Sequence, residues 1–197
     1  MNPNPLAAVT ADQLASIATP DLAPPHDGPT AAVVAIFRSG DHGTEVLFIE
    51  RAHKDGDPWT GQIAFPGGRT EPHDVDTYDT ALRETREEIG LDLTNSPSLG
   101  RLTDLEGGPR GSRQRLRVSP HLCWLHGPRP ELTLNYEVAD VLWIPLTHLT
   151  DPAHHIDYAY PPLGPDLWPG IQLDPTRVLW GLTLRMTNDL LTRLGAV

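Results

Sequence analysis

The segment from Thr77 to Gly90 constrains this chain more tightly than any other. Tyr78, Leu82, Thr85 and Ile89 recur at helical spacing and Gly90 supplies a C-terminal stop, so the pattern predicts a helix over 77–89 with one apolar face. At about 100° per residue, Glu84, Glu87 and Glu88 gather on the face opposite. Like charges at these spacings cost a helix about a few tenths of a kcal/mol per pair unless a cation neutralises them. A hard divalent ion held by oxygens, Mg²⁺ or Mn²⁺, is the natural partner. On the helix alone, a solvated acidic face with an Arg83–Glu87 salt bridge explains the pattern at least as well. The surroundings shift the balance. A short strand, Gln62-Ile63-Ala64-Phe65, is stopped by Pro66, Gly67 and Gly68, a turn that lets backbone approach an ion or phosphate. A loop carrying Glu71, Asp74, Asp76 and Asp79 then leads straight into the helix.

Around this segment, the β-branched runs 31–37 and 45–50 flank a Gly-containing turn and read as a hairpin. Further strands are expected near 100–105, 116–125 and 138–144, then a short helix after Pro145 and a turn-rich stretch to Pro175. A C-terminal helix is expected from the Asp174-Pro175 start signal, with the apolar stripe Val178, Leu179, Leu182, Met186, Leu190 and Leu194. Runs of strands interleaved with two good helices indicate an α/β chain of the α+β type, a mixed β-sheet sandwiched between helices. Residues 1–29, punctuated by Pro3, Pro5, Pro20, Pro24 and Pro25, read as a Pro/Ala-rich arm with one short helix at 11–17, ahead of a domain over 30–197. Leu14 and Ile17 are the side chains that could dock it.

The 15 basic and 26 acidic residues leave a net charge of −11, which disfavours nucleic acid as a partner. The longest apolar run, 31–37, falls far short of a bilayer span, and the start lacks the basic and apolar regions of an export signal. With the single cysteine Cys123, which reads as a core residue, this points to a cytoplasmic setting without membrane contact.

Gly68 through Leu91 resembles the box that defines the Nudix hydrolase family. Arg83-Glu84-Thr85-Arg86-Glu87-Glu88-Ile89-Gly90-Leu91 follows the second half of that box, with Thr85 where an aliphatic residue is usual. The spacing from Gly68 to Arg83 is one residue longer than the general pattern, and Asp74 or Asp76 stands where its first Glu would fall. That extra residue, with Phe65-Pro66-Gly67-Gly68 and Ala81-Leu82-Arg83-Glu84, is similar to the coenzyme A pyrophosphatase branch. Leu47, Arg51, Ala52, Gly61 and Phe65 also follow that branch, whereas Ile49 replaces a Thr and Asp57 replaces an Arg.

The resemblance implies hydrolysis of a diphosphate bond in a nucleotide-type small molecule, with Mg²⁺ or Mn²⁺ held by Glu84, Glu87, Glu88 and the carbonyl of Gly68. Coenzyme A or an acyl-CoA is the preferred substrate, ahead of ADP-ribose, dinucleotides or nucleoside triphosphates. A nucleotide-binding regulator without turnover is the reading from another class. Arg83 would orient the carboxylates, and Glu88 and Glu137 are the candidate general bases. Gly67, Arg51, Arg115 and Arg117 are candidates for gripping substrate, with Lys54, Arg110 and Arg113 as weaker ones. Trp59 and Trp168 are loop aromatics that could stack on adenine, while Trp124, Trp143 and Trp180 read as core. His154, His155 and Asp157 read as structural, because neighbours on a strand point to opposite faces. An apolar face on the C-terminal helix or the arm could support a homodimer.

Overall fold

The computed structural model describes residues 5–19, 27–56, 59–107 and 115–196; Asp57, Arg110, Arg113 and Pro3, Pro20, Pro24 and Pro25 lie outside them. The expected hairpin forms from β1 (Thr30–Gly40) and β2 (Gly43–Arg51), with Phe37 opposite Val46. β1 is central, which is why its apolar run is unbroken. One edge pairs in parallel with β7 (Leu116–Trp124), and the other pairs with β2 at the end of β1 and with β4 (Gly67–Arg69) at its start. β3 (Ile63–Ala64) and β8 (Val138–Pro145) join β2, while β5 (Ser98–Arg101) and β6 (Leu105–Gly107) join β7. Eight strands thus make one mixed sheet.

Alternation along β1 and β2 divides the core in two. Ala32, Val34, Ile36, Leu47 and Ile49 cluster with Ala81 and Ile89 of α2 (Thr77–Ile89) and with Cys123. Burial pushes the Cys123 thiol up to about 11, as expected of a packing residue. Ala35, Phe37, Val46 and Phe48 face the other layer. There they meet Leu14 of α1 (Ala11–Ile17), Leu146 and Leu149 of α3 (Leu146–Leu149), and Met186 and Leu190 of α4 (Gly181–Arg193). The sheet is sandwiched between helices, as expected.

Part of the N-terminal arm is built into this core. Leu6, Val9 and Leu14 are buried, and α1 starts with a capping box in which Thr10 and Gln13 bond each other's backbone N–H. The apolar faces of α1 and α4 are therefore covered by this chain's own sheet.

The C-terminal region departs from the sequence expectation. β9 (His155–Ala159), β10 (Leu167–Gln172) and β11 (Val178–Trp180) form a second, antiparallel sheet, β9 and β10 where turns were expected and β11 where Val178 and Leu179 were expected to begin the helix, so α4 starts at Gly181 rather than near Pro175. The Asp174-Pro175 signal caps a turn instead: Thr176 and Arg177 N–H donate to Asp174 Oδ1 at 2.8 and 2.9 Å. An Asp that caps a turn and one that caps a helix use the same hydrogen bond, and Val-Leu-Trp after it favours a strand. Arg177 fastens the small sheet to the large one through Glu50 (2.9 Å) and Asp140 (2.5 Å). Trp168 is accordingly a strand residue, packed 6.3 Å from Trp180, and not a loop aromatic.

Candidate active site

α2 is fixed at both ends by its own sequence. Asp76 caps the start by accepting from Asp79 N–H at 2.8 Å, and Gly90, at φ 69°, closes the end with its N–H on the Arg86 carbonyl. Thr85 is fully buried, and its hydroxyl donates to the Ala81 carbonyl at 2.7 Å, which satisfies a polar group at an otherwise aliphatic position.

The three glutamates do not all lie opposite the apolar face, as the sequence suggested: Glu87 does, whereas Glu88 lies at its border and is buried. Glu88 is 3% exposed beside Ala81 and Thr85, while the side chains of Glu84 and Glu87 are 15% and 54% exposed. The acidic stripe runs from core to solvent.

The Gly-Gly turn explains how a carboxylate can sit that deep. Glu88 Oε2 accepts from the Gly67 N–H at 2.9 Å. Gly67 has φ 147°, and a Cβ there would lie 2.1 Å from the Ala32 carbonyl oxygen, so this position admits only glycine. At Gly68 a Cβ would lie 2.4 Å from the Glu84 carboxyl carbon, so that carboxylate rests directly on the turn. Burial raises the Glu88 carboxyl to about 8; repulsion from Glu84 and Glu137 adds to this, while the Gly67 N–H and Arg51 oppose it. Burial also raises Glu84, with Arg83 opposing and Glu87 and Glu137 reinforcing. Four carboxylates and Arg51 share one electrostatic neighbourhood.

Arg83 organises it. Its Nε and Nη2 grip Asp74 at 2.9 and 3.0 Å, Nη2 also donates to the Arg69 carbonyl at 3.0 Å, and Nη1 donates to Glu84 at 3.0 Å and Glu87 at 3.3 Å. All five donors of the guanidinium are engaged. Asp74 is buried and held in turn by Glu71 N–H (2.8 Å) and the Thr80 hydroxyl (2.9 Å), and the Arg83 cation holds its carboxyl well below the usual range. Asp74 is therefore the Arg83 partner and Asp76 the helix cap. Thr80 and the Arg69 carbonyl are members that the sequence reading missed; a Thr four residues after a helix cap and a carbonyl carry no distinctive sequence signal.

The donors suit a hard divalent cation: all are carboxylate or carbonyl oxygens, and one carboxylate is pushed toward protonation by burial and repulsion, a cost that a cation relieves. Among the described residues no three His, Cys, Asp or Glu side chains converge as a closed cage; Arg83 Nη1 bridges Glu84 and Glu87, and Glu88 is turned to Gly67.

Two further elements close around the carboxylates. Arg51 ends β2, at a register shift in its pairing with β8 and beyond Leu47 and Ile49 of the α2-side core, and its charge is felt at Glu88. The loop before β8 is strapped to the end of α2, with Thr133 and Asn135 N–H donating to the Ile89 and Glu88 carbonyls at 3.0 and 2.9 Å. Its exposed Glu137 offers its carbonyl to Ala52 N–H at 2.7 Å, beside Arg51.

A model of the NUDIX domain matches residues 28–163. The chain belongs to the Nudix hydrolase family. It is 32% identical over 181 residues to the human (Homo sapiens) mitochondrial coenzyme A diphosphatase NUDT8, across 85% of this chain and 70% of that protein. An uncharacterized Schizosaccharomyces pombe protein is 29% identical across 80% of this chain, which spans about half of that relative, 49%. Among solved structures, the NUDIX domain of Shewanella oneidensis NrtR complexed with ADP ribose aligns with a TM-score of 0.54 at 17% identity, covering 94% of this chain and 99% of that one, a likeness of fold.

In this Nudix domain the other candidates stand further off. Arg115, just ahead of β7, pairs with Glu106 at 3.1 Å, and Arg117, across β1 from β4, pairs with Asp104 at 3.9 Å. Lys54 is exposed, its backbone N–H on the Thr60 hydroxyl at 2.8 Å. His154 stacks on His148 at 3.7 Å, and His155 bonds the Leu149 carbonyl at 3.0 Å, as structural residues do. No described helix is long and apolar enough to cross a membrane.

Proposed function

We propose that this Nudix domain is a Mg²⁺- or Mn²⁺-dependent diphosphohydrolase acting on coenzyme A or an acyl-CoA, releasing 3′,5′-ADP and (acyl-)4′-phosphopantetheine. The observation that carries the reading is Glu88, a buried carboxyl raised to about 8 and bonded to the Gly67 N–H, with Glu84 resting on Gly68. Glu84, Glu87, Glu88 and the Gly68 carbonyl would hold the ion. Bound there, it would neutralise charge on the phosphoryl oxygens and acidify an attached water. Arg83 acts as a positioning residue, because its donors are all taken by Asp74, Arg69, Glu84 and Glu87. Arg51, next to Glu88, grips a substrate phosphate. Glu137, exposed and within reach of the same field, takes the proton from the attacking water, with Glu88 the other candidate. Arg115 and Arg117 serve the substrate only if it extends across β1 toward β7.

Coenzyme A is favoured over other nucleotides by the Phe65-Pro66-Gly67-Gly68 and Ala81-Leu82-Arg83-Glu84 segments and by the likeness to the human coenzyme A diphosphatase. The cytoplasmic setting, read from the lone cysteine and from the lack of an export signal and of a bilayer-length apolar run, belongs to the same proposal; a homodimer would need a surface other than the covered faces of α1 and α4. The test is chromatographic product analysis with Mg²⁺ or Mn²⁺, offering coenzyme A, ADP-ribose, NADH and nucleoside triphosphates in parallel. Coenzyme A cleaved best to 3′,5′-ADP supports the reading. Another substrate winning overturns its choice of substrate, and tight binding without turnover overturns the enzyme.

A further inference from the structure

Tyr136 lies in the turn just before β8, in the loop strapped to the end of α2. The residue before it, Asn135, donates its N–H to the Glu88 carbonyl at 2.9 Å. The residue after it, Glu137, offers its carbonyl to Ala52 N–H at 2.7 Å, and its charge is felt at both Glu84 and Glu88. Asn135 Oδ1 also accepts from the Glu137 N–H at 2.8 Å, which pins the turn from inside. The backbone on each side is thus fastened to the active-site elements, while Tyr136 itself is 83% exposed and its neighbour Leu134 is 38% exposed. An aromatic ring held on a tethered turn, open to solvent and adjacent in the chain to Glu137, is preorganised to receive a flat partner.

Building on the hydrolase reading above, we infer that Tyr136 is a stacking platform for a heteroaromatic ring of the substrate, a nucleobase, and so a specificity position. The ring face, not the hydroxyl, makes the contact. Removing it loses about five- to tenfold in affinity, the lower part of the range for a base stacked on an aromatic side chain.

The test compares wild type, Tyr136→Phe and Tyr136→Ala by steady-state kinetics with coenzyme A, using inorganic pyrophosphate as a ring-free competitive inhibitor. Tyr136→Ala should raise KM about five- to tenfold, with the change in KM rather than kcat. Tyr136→Phe should restore the wild-type KM, and pyrophosphate should inhibit all three equally. An unchanged KM in Tyr136→Ala, a loss shared by Tyr136→Phe, or weakened pyrophosphate inhibition in Tyr136→Ala overturns the platform. If wild type turns over no diphosphate, the hydrolase reading fails by itself. The platform is then read by calorimetric titration of ADP: Kd weakened in Tyr136→Ala and kept in Tyr136→Phe supports it, and equal Kd in all three overturns it.

Discussion

Replacing Glu88 by Gln separates the cost of the buried charge from the rest of the helix. In the ion-free protein the Glu88 carboxyl is raised from 4.5 to about 8 by burial. The folded state therefore prefers the protonated form. The stability associated with this group is intact below about 4.5 and is lost as pH rises toward about 8, above which the loss is constant. At about 1.4 kcal/mol per pH unit, the full loss approaches about 5 kcal/mol, of which about 3 kcal/mol falls between pH 6 and pH 9. Gln keeps an oxygen for the Gly67 N–H and carries no charge at either pH. Urea unfolding in EDTA should show the stability of Glu88→Gln, relative to wild type, rising by about 3 kcal/mol from pH 6 to pH 9. With saturating Mg²⁺ the ordering should reverse, because only the wild type gains from the cation. Parallel pH profiles for the two proteins in EDTA would refute the argument that Glu88 is a strained buried acid.

Asp74→Asn should remove the grip on Arg83 and cost about 3 kcal/mol at neutral pH, as breaking a buried ion pair does. Because the Asp74 carboxyl is depressed by Arg83, its contribution is present above the ordinary carboxylate range and lost as pH falls below it. The gap between wild type and Asp74→Asn in acid denaturation should therefore narrow below about pH 4; a gap that stays constant there would contradict the pairing. The same variant should lower kcat by about a hundredfold, since Arg83, the common anchor of Glu84 and Glu87, loses its own hold. Gly67→Ala should cost at least about 2 kcal/mol in thermal unfolding, because its φ of 147° is strained for an L side chain and the new Cβ meets the Ala32 carbonyl. A wild-type melting curve would show that the turn can shift.

The sequence carried the helix at 77–89 in full, since apolar periodicity and a terminal glycine are local signals. It did not show that Glu88 is buried. A helical wheel places Glu88 at the border of the apolar face, and only the docking of β4, with the Gly67 N–H turned toward α2, decides that the carboxyl goes under rather than out. Asp74 and Asp76 were equivalent in sequence because both lie just ahead of the helix; the long reach of Arg83 back over the loop separates them. Arg51 was legible only by resemblance, since its nearness to Glu88 comes from how β2 docks beside α2. The tethers at Asn135 and Glu137 are backbone hydrogen bonds, which no side-chain pattern encodes. The small sheet of β9, β10 and β11 escaped for a different reason: the Pro and Gly residues at its turns and within β10 hide strands that depend on packing against α4 and on Arg177.

The proposed hydrolysis requires the carboxylates of α2 to hold a divalent ion. Electron paramagnetic resonance titration of Mn²⁺ into the wild type and into a Glu84→Gln, Glu87→Gln, Glu88→Gln triple variant tests it most directly. The wild type should deplete the free Mn²⁺ signal saturably, and the folded triple variant should not. Equal depletion by both would place the ion elsewhere, and no depletion by the wild type would remove the metal from the mechanism.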